Sequence, residues 1–390
     1  MTILNNGANT LKIMSNQKKY KRNLIEQKDG IILAPPDTTL LVVVGFLVVI
    51  GLMAIFSASS EKSIIMGANP ASFMFKQLAF AVAGFFCMRK LARIDYKRLA
   101  KYSIQFSWVV VGLLVVVAFM GVNVNEATRW IAIGPIQFQP SELAKPAFVL
   151  SLASAFKNDS VILDKNKLPY YIPLAIMVLL IFKQPNLSMV MLLSATALVI
   201  YLCAGGNWKN LLFIAGMGLF VISKKLHGYQ LTRLKTWLDP ASDPQGAGYN
   251  ILQSLYAISS GGFWGMGFGQ SRQKFGWLPE CHTDFIYSII AEELGFFGCV
   301  LIIGLFWTLI QRGITISSRC PDRFGKLVAV GLTFSIGIQA MLNMSVASSF
   351  LPATGITLPF VSYGGSSLLS YLLIIGIVFK ISSNSRKTIN

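Results

Sequence analysis

Within the thirteen residues from Arg272 to Asp284 the chain places Arg272, Lys274, Glu280, His282, Thr283 and Asp284. Cations that could face an anion stand beside carboxylates that could remove a proton, a set suited to expelling an anionic leaving group as a base deprotonates an incoming alcohol. Asp284 also has a plainer reading, because it lies where a long apolar run begins and could serve there as a helix cap or dipole partner. His282 could likewise cap or face water. Co-location favours the chemical reading.

Further ionisable groups sit inside or beside apolar runs, where they are costly and therefore informative. Arg129 and Trp130 precede one such run. The guanidinium could hold a phosphate by its bidentate fork, or Arg and Trp could form an interfacial pair at headgroup level. Glu142 and Lys145 open the run itself at i, i+3 spacing, so they could pair locally, or Lys145 could face an anionic ligand. Lys183-Gln184-Pro185-Asn186 reads as a tight turn. The adjacent carboxylates Glu292 and Glu293 cannot share one helix face, so one at most lines a cavity while the other needs a buried partner. Ser362 to Ser367, which includes Ser366, opens the last run; its backbone N–H groups could meet an anion, or it is a glycine turn with a serine cap.

The elements that must position these groups are membrane helices. The 390 residues are 54% hydrophobic and 13% charged, with a mean hydropathy of +0.60. The spacing predicts an all-α polytopic fold of about ten spans at 40–58, 73–89, 103–121, 140–157, 168–183, 187–204, 210–224, 284–310, 327–347 and 365–382. The net charge of +18 follows from Lys and Arg clustered in alternate loops, including 1–39, 89–102 and 311–326. That pattern puts both termini in the cytoplasm and accounts for the charge without nucleic acid. The leader 1–36 reads as a disordered cytoplasmic segment with no cleavable signal, and 383–390 as a cytoplasmic tail. Cys87, Cys203, Cys281, Cys299 and Cys320 lack disulfide or zinc spacing.

Two stretches interrupt this pattern. Residues 225–283 form a long extracytoplasmic loop between the seventh and eighth spans, starting with Lys224, Lys225, His227, Arg233 and Lys235 and ending in the cluster above. A loop of this length in a compact protein is usually functional. Residues 348–366, apolar but broken by two prolines, read as a re-entrant outer segment over a cavity.

Taken together, Phe56-Ser57-Ala58-Ser59, Arg129-Trp130-Ile131, Gln139-Pro140-Ser141-Glu142, Asp239-Pro240, Asp243-Pro244-Gln245-Gly246-Ala247-Gly248-Tyr249, Gln253-Ser254, Leu278-Pro279-Glu280, His282-Thr283-Asp284-Phe285-Ile286, Glu292-Glu293-Leu294-Gly295 and Leu358 to Ser367 resemble the SEDS family of shape, elongation, division and sporulation proteins. The likeness covers residues 37–382. Gly269 to Lys274 looks more like the family's division branch, FtsW, than its elongation branch, RodA. Glu126 stands where the family usually has glycine, and Asn186 where aspartate is common.

The resemblance implies a peptidoglycan glycosyltransferase that polymerises lipid II into a nascent glycan strand at the outer face of the bacterial cytoplasmic membrane, at the septum. It implies Asp284 as the catalytic carboxylate and Arg129, Trp130 and Lys145 as its functional neighbours. It also implies a class B penicillin-binding protein, a transpeptidase, as partner within the division complex. In the expected reaction Asp284 deprotonates the acceptor sugar's 4-hydroxyl, while Arg129, Lys145, Arg272 and Lys274 offset the leaving diphosphate, with room for a divalent cation, Mg2+ or Mn2+, as helper. Glu142, His282 and Ser366 complete the expected substrate contacts. A lipid II transporter and an elongation polymerase are the competing readings. No inverted repeat favours transport, and the ionisable cluster sits at one rim of the membrane.

Overall fold

The computed structural model describes residues 35–124, 127–134, 136–159, 161–162, 164–209, 236–246 and 248–384. The leader to residue 34, Glu126, the expected span 210–224, the basic group Lys224 to Lys235 and the tail from 385 lie outside them.

The helices are α1 (Thr38–Ile65), α2 (Ser72–Leu91), α3 (Tyr96–Met120), α4 (Pro140–Ala155), α5 (Leu168–Lys183), α6 (Leu187–Cys203), α7 (Tyr249–Gly261), α8 (Ile286–Arg319), α9 (Arg323–Ala347) and α10 (Gly365–Ser382). Runs such as Val109-Val110-Val111 in α3 are weak helix formers in water. In hydrocarbon every backbone N–H and C=O must be paired within the segment, so an apolar run of this length becomes helix whatever its β-branched content. Among the described residues, six helices are long and apolar enough to cross a membrane: α1, α3, α5 with the 3₁₀ turn before it, α8, α9 and α10.

Helix α1 shows how one run serves two environments. Val42, Phe46, Val49 and Met53 form an exposed stripe, whereas Val44, Leu47, Gly51 and Ile55 are buried. A Cβ on Gly51 would lie 2.7 Å from the Phe360 carbonyl oxygen, so this glycine lets the 348–364 segment pack against the helix. At the far end of α1, Asp37 caps the first turn through Leu40 N–H and pairs with Arg312 of α8 at 2.6 Å. Helix α4 lies deepest: every residue except Leu143 is buried. Against it pack α3, α5, α6 and α9, while α10 packs on α2 and α9.

Two features depart from a plain bundle. Between α3 and α4 the chain forms an antiparallel meander, β1 (Val122–Val124), β2 (Ala127–Ile133) and β3 (Ile136–Phe138), paired in that order. Helix α8 is broken at Gly295 (φ 64°, ψ −158°), where residues 262–267 wedge against it. Gly262 O accepts from Phe296 N–H at 2.9 Å, while Met266 and Gly267 N–H donate to Glu292 O and Glu293 O at 2.9 and 3.0 Å. Ile286 to Glu293 are all buried in protein. The membrane-length part of α8 therefore follows the break and runs to Arg319, beyond the expected end at 310.

Candidate active site

The turn from Leu278 to Phe285 delivers Asp284. Glu280 O accepts from Thr283 N–H and Asp284 N–H, both at 3.1 Å, and the Glu280 carboxylate accepts from Thr283 Oγ1 at 2.9 Å. Phe285 is the N-cap of α8, and no side chain caps that helix. Asp284 is half-buried and sits one position before that N-cap. Its main chain is clamped from α9, where Asn343 Nδ2 donates to Asp284 O at 2.8 Å and to Ile356 O at 2.7 Å.

That second bond ties the turn to the irregular segment 348–364, which crosses the end of the bundle. Gln339 Nε2 donates to Thr357 O at 3.0 Å, Ser362 Oγ donates to Thr283 O at 2.5 Å, and Gln77 Oε1 accepts from Gly364 N–H at 3.1 Å. Gly355 in this segment faces the charged groups: an ideal Cβ there would lie 3.5 Å from Asp284 Oδ2 and 4.0 Å from Arg129 Nη1. Arg129 reaches this point from β2. Its Nε donates to Gln184 O at 3.0 Å and its Nη2 to Pro185 O at 2.6 Å. The polar break 183–186, read from sequence as a turn, is the mount that aims the guanidinium toward Asp284.

Residues 37–387 match the family profile described as "Cell cycle protein", that of FtsW, RodA and SpoVE. The chain belongs to this FtsW/RodA/SpoVE family. It is 39% identical to a protein named probable peptidoglycan glycosyltransferase FtsW from Trichlorobacter lovleyi, across 90% of this chain and 94% of that one. It is 38% identical to stage V sporulation protein E of Bacillus subtilis, across 90% and 98%. Among solved structures it resembles a chain from work on the structural coordination of polymerization and crosslinking by a peptidoglycan synthase complex (28% identity, TM-score 0.74, 89% and 97% covered). It also resembles the rod shape determining protein RodA of Thermus thermophilus (28%, 0.67, 90% and 98%).

In this FtsW/RodA/SpoVE chain the other expected site residues are placed differently from Asp284 and Arg129. Trp130 alternates with Arg129 along β2, is half-buried and pairs with Val122. Lys145 is fully buried; its ammonium donates to Glu142 Oε2 at 2.7 Å, Tyr371 OH at 2.6 Å and Gln339 Oε1 at 3.0 Å. It braces α4 against α9 and α10 through these bonds. Glu142 lines a small pocket of about 40 Å³ with Gln139, Asn186, Gln339 and Gly355. Asn186 there caps α6, its side chain accepting from Met189 N–H at 3.3 Å.

Lys274 is also enclosed, donating to Gly269 O at 2.5 Å and lying 3.8 Å from Glu293. Arg272 keeps an exposed side chain, while its N–H donates to Glu292 at 2.9 Å. Both adjacent carboxylates are therefore buried anchors. Glu292 accepts from Ser271 Oγ at 2.5 Å, and Glu293 accepts from Ser271 N–H at 3.3 Å and from Ser57 Oγ. Ser366 Oγ accepts from Gln139 N–H at 3.1 Å and donates to Gln137 O, which clips β3 to α10.

His282 is buried beside an open groove of about 770 Å³ that Lys62, Lys274 and Glu280 also line. Burial, helped by the positive charge of Lys62, pushes its pKa down to about 4, so the ring is neutral at neutral pH. Phe73 meets the ring edge-on at 5.3 Å. Among the described residues no group of three or more His, Cys, Asp or Glu stands together as a metal site.

Nothing in the sequence reading singles out Asn343, Gln339 or Gly355. A buried Asn or Gln in a membrane helix is a signal in itself, since it must find partners. Gln184 was visible in the polar break, but its contribution to Arg129 is a backbone carbonyl, which no residue type announces.

Proposed function

We propose that the chain is a peptidoglycan glycosyltransferase that polymerises lipid II during cell division, with Asp284 as general base. The observation that carries this is a half-buried aspartate turned, with a mounted guanidinium, toward one side-chain-free point at Gly355. Asp284 accepts the proton of the acceptor sugar's 4-hydroxyl as that oxygen attacks the anomeric carbon of the donor chain. The new C–O bond forms on the face opposite the breaking one, and polyprenyl diphosphate departs with the bonding electrons, inverting the centre. Arg129, presented by strand β2 and its two carbonyl partners, lies where it can offset the phosphate charge as it develops. The exposed Arg272 side chain is available as a second cation.

Relatives named peptidoglycan glycosyltransferase FtsW support this reading, as does the likeness to a chain of a peptidoglycan synthase complex. The same likeness supports a crosslinking partner, which we take to be a class B penicillin-binding protein; lipid II and the growing glycan as substrates, and a place in the bacterial inner membrane at the septum with Asp284 on the outer side, belong to the same proposal. The test is a gel of glycan made from labelled lipid II by the purified chain with its transpeptidase partner. Wild type should give polymer. Asp284→Ala should give none while eluting as the same folded complex; normal polymer from that variant would overturn the assignment.

A further inference from the structure

Gly355 has no local reason to be glycine. It is absent from the glycines with positive φ, a set that includes Gly262, Gly265 and Gly295, so an L side chain meets no backbone strain there. Close packing does not require it either. A Cβ on Gly261 would fall 2.0 Å from Ala291 O and one on Gly248 2.2 Å from Pro240 O, whereas one on Gly355 meets nothing nearer than 3.5 Å. Hinge motion is an equally poor explanation, because the next two carbonyls, of Ile356 and Thr357, are held by Asn343 and Gln339.

What a Cβ would meet is Asp284 Oδ2 and Arg129 Nη1, at ordinary contact distance. A methyl group there would fit the protein and fill the contact shell that both charged groups share. A sugar carbon bearing a hydroxyl needs that same shell, since carbon and oxygen atoms pack at about 3.5–4 Å. The pinned carbonyls that follow it, of Ile356 and Thr357, keep the backbone from withdrawing to restore the room.

We propose that Gly355 is a specificity-determining residue of the reaction: its missing side chain leaves the space beside Asp284 into which the hydroxyl-bearing ring of the acceptor sugar seats. This rests on the function proposed above and adds the wall of the acceptor site to it. Nearby, Gly355 also lines the pocket that holds Glu142 and Gln339, so the same methyl group would narrow both spaces.

The experiment compares Gly355→Ala, Gly355→Ser and Gly355→Val with Gly112→Ala, an exposed α3 glycine whose Cβ would have nothing within 4 Å. Each is purified with the transpeptidase partner and assayed for melting temperature and for kcat/KM on lipid II. Gly355→Ala should melt with the wild type and lose at least tenfold in kcat/KM, with Ser and Val losing progressively more and Gly112→Ala unchanged. Undiminished turnover by Gly355→Ala overturns the inference, as does a large fall in its melting temperature, which would make the glycine a packing residue. Asp284→Ala assayed alongside separates the two claims. An inactive Asp284→Ala with a fully active Gly355→Ala sinks only the acceptor wall, whereas an active Asp284→Ala sinks the base assignment itself.

Discussion

Arg129 is held by geometry as much as by charge. Two carbonyls, of Gln184 and Pro185, take its Nε and Nη2 and turn Nη1 toward Gly355 and Asp284. A lysine there would keep the charge and lose the planar fork. We expect Arg129→Lys to behave like Arg129→Ala, each lowering kcat/KM on lipid II roughly 10- to 100-fold, the scale of one lost charge-assisted contact. Steady-state kinetics with near-wild-type values for the lysine variant would show that charge alone suffices. His282 makes a different residue-level prediction, outside the spanning segments. Its pKa is about 4 in the folded protein against an ordinary 6.5, so the unfolded chain binds the proton more tightly. The neutral ring's contribution to stability is therefore complete above pH 6.5 and is lost as pH falls from there toward 4, by up to about 3 kcal/mol. Thermal melts between pH 4 and 7 should show a steeper acid loss for wild type than for His282→Gln; equal slopes would contradict it.

The elements were legible in the sequence to the degree that each repeats a pattern. The expected span 168–183 coincides with α5, and 187–204 and 365–382 coincide with α6 and α10 to within a residue, because a long apolar run has a single backbone solution in a membrane. The meander was not foreseen: strands of three residues carry no period, and β2 reads equally as part of a loop. Nor was the break in α8. Glu292-Glu293-Leu294-Gly295 carries helical propensity on both sides, and only residues 262–267, distant in sequence, fix the conformation of Gly295. This break has a direct test. A Cβ on Gly295 would lie 2.4 Å from Gly265 N, and φ is +64°, so Gly295→Ala combines backbone strain with a clash. We expect a loss of about 3 kcal/mol, seen as a clear drop in melting temperature, with polymer synthesis lost because Glu292 and Glu293 no longer hold residues 271–274. A melting curve unchanged from wild type would mean the break is incidental.

At the scale of the whole molecule, the site belongs to no single element. Asp284 comes from the turn before α8, Arg129 from the meander, their mounts from the α5–α6 turn and α9, and the wall from the segment after α9. The cluster that opens the chemical reading of the sequence is split accordingly. Asp284 faces the shared space, while Lys274 is drawn into an ion pair with Glu293; outside that cluster, Lys145 braces three helices from within. Co-location in sequence does not rank the cations. Whether a buried cation faces a ligand or a carboxylate depends on contacts hundreds of residues apart, such as the Lys145–Tyr371 bond.

In the proposed reaction the Asp284 carboxylate removes the proton as the glycosidic bond forms. The most direct test is the single-turnover rate of Asp284→Asn, in complex with the transpeptidase partner, at saturating lipid II. The amide preserves shape and leaves substrate binding in place but cannot act as the base, so the account predicts a rate about 10²- to 10⁴-fold below wild type with lipid II affinity within a few fold. A single-turnover rate equal to wild type would contradict it.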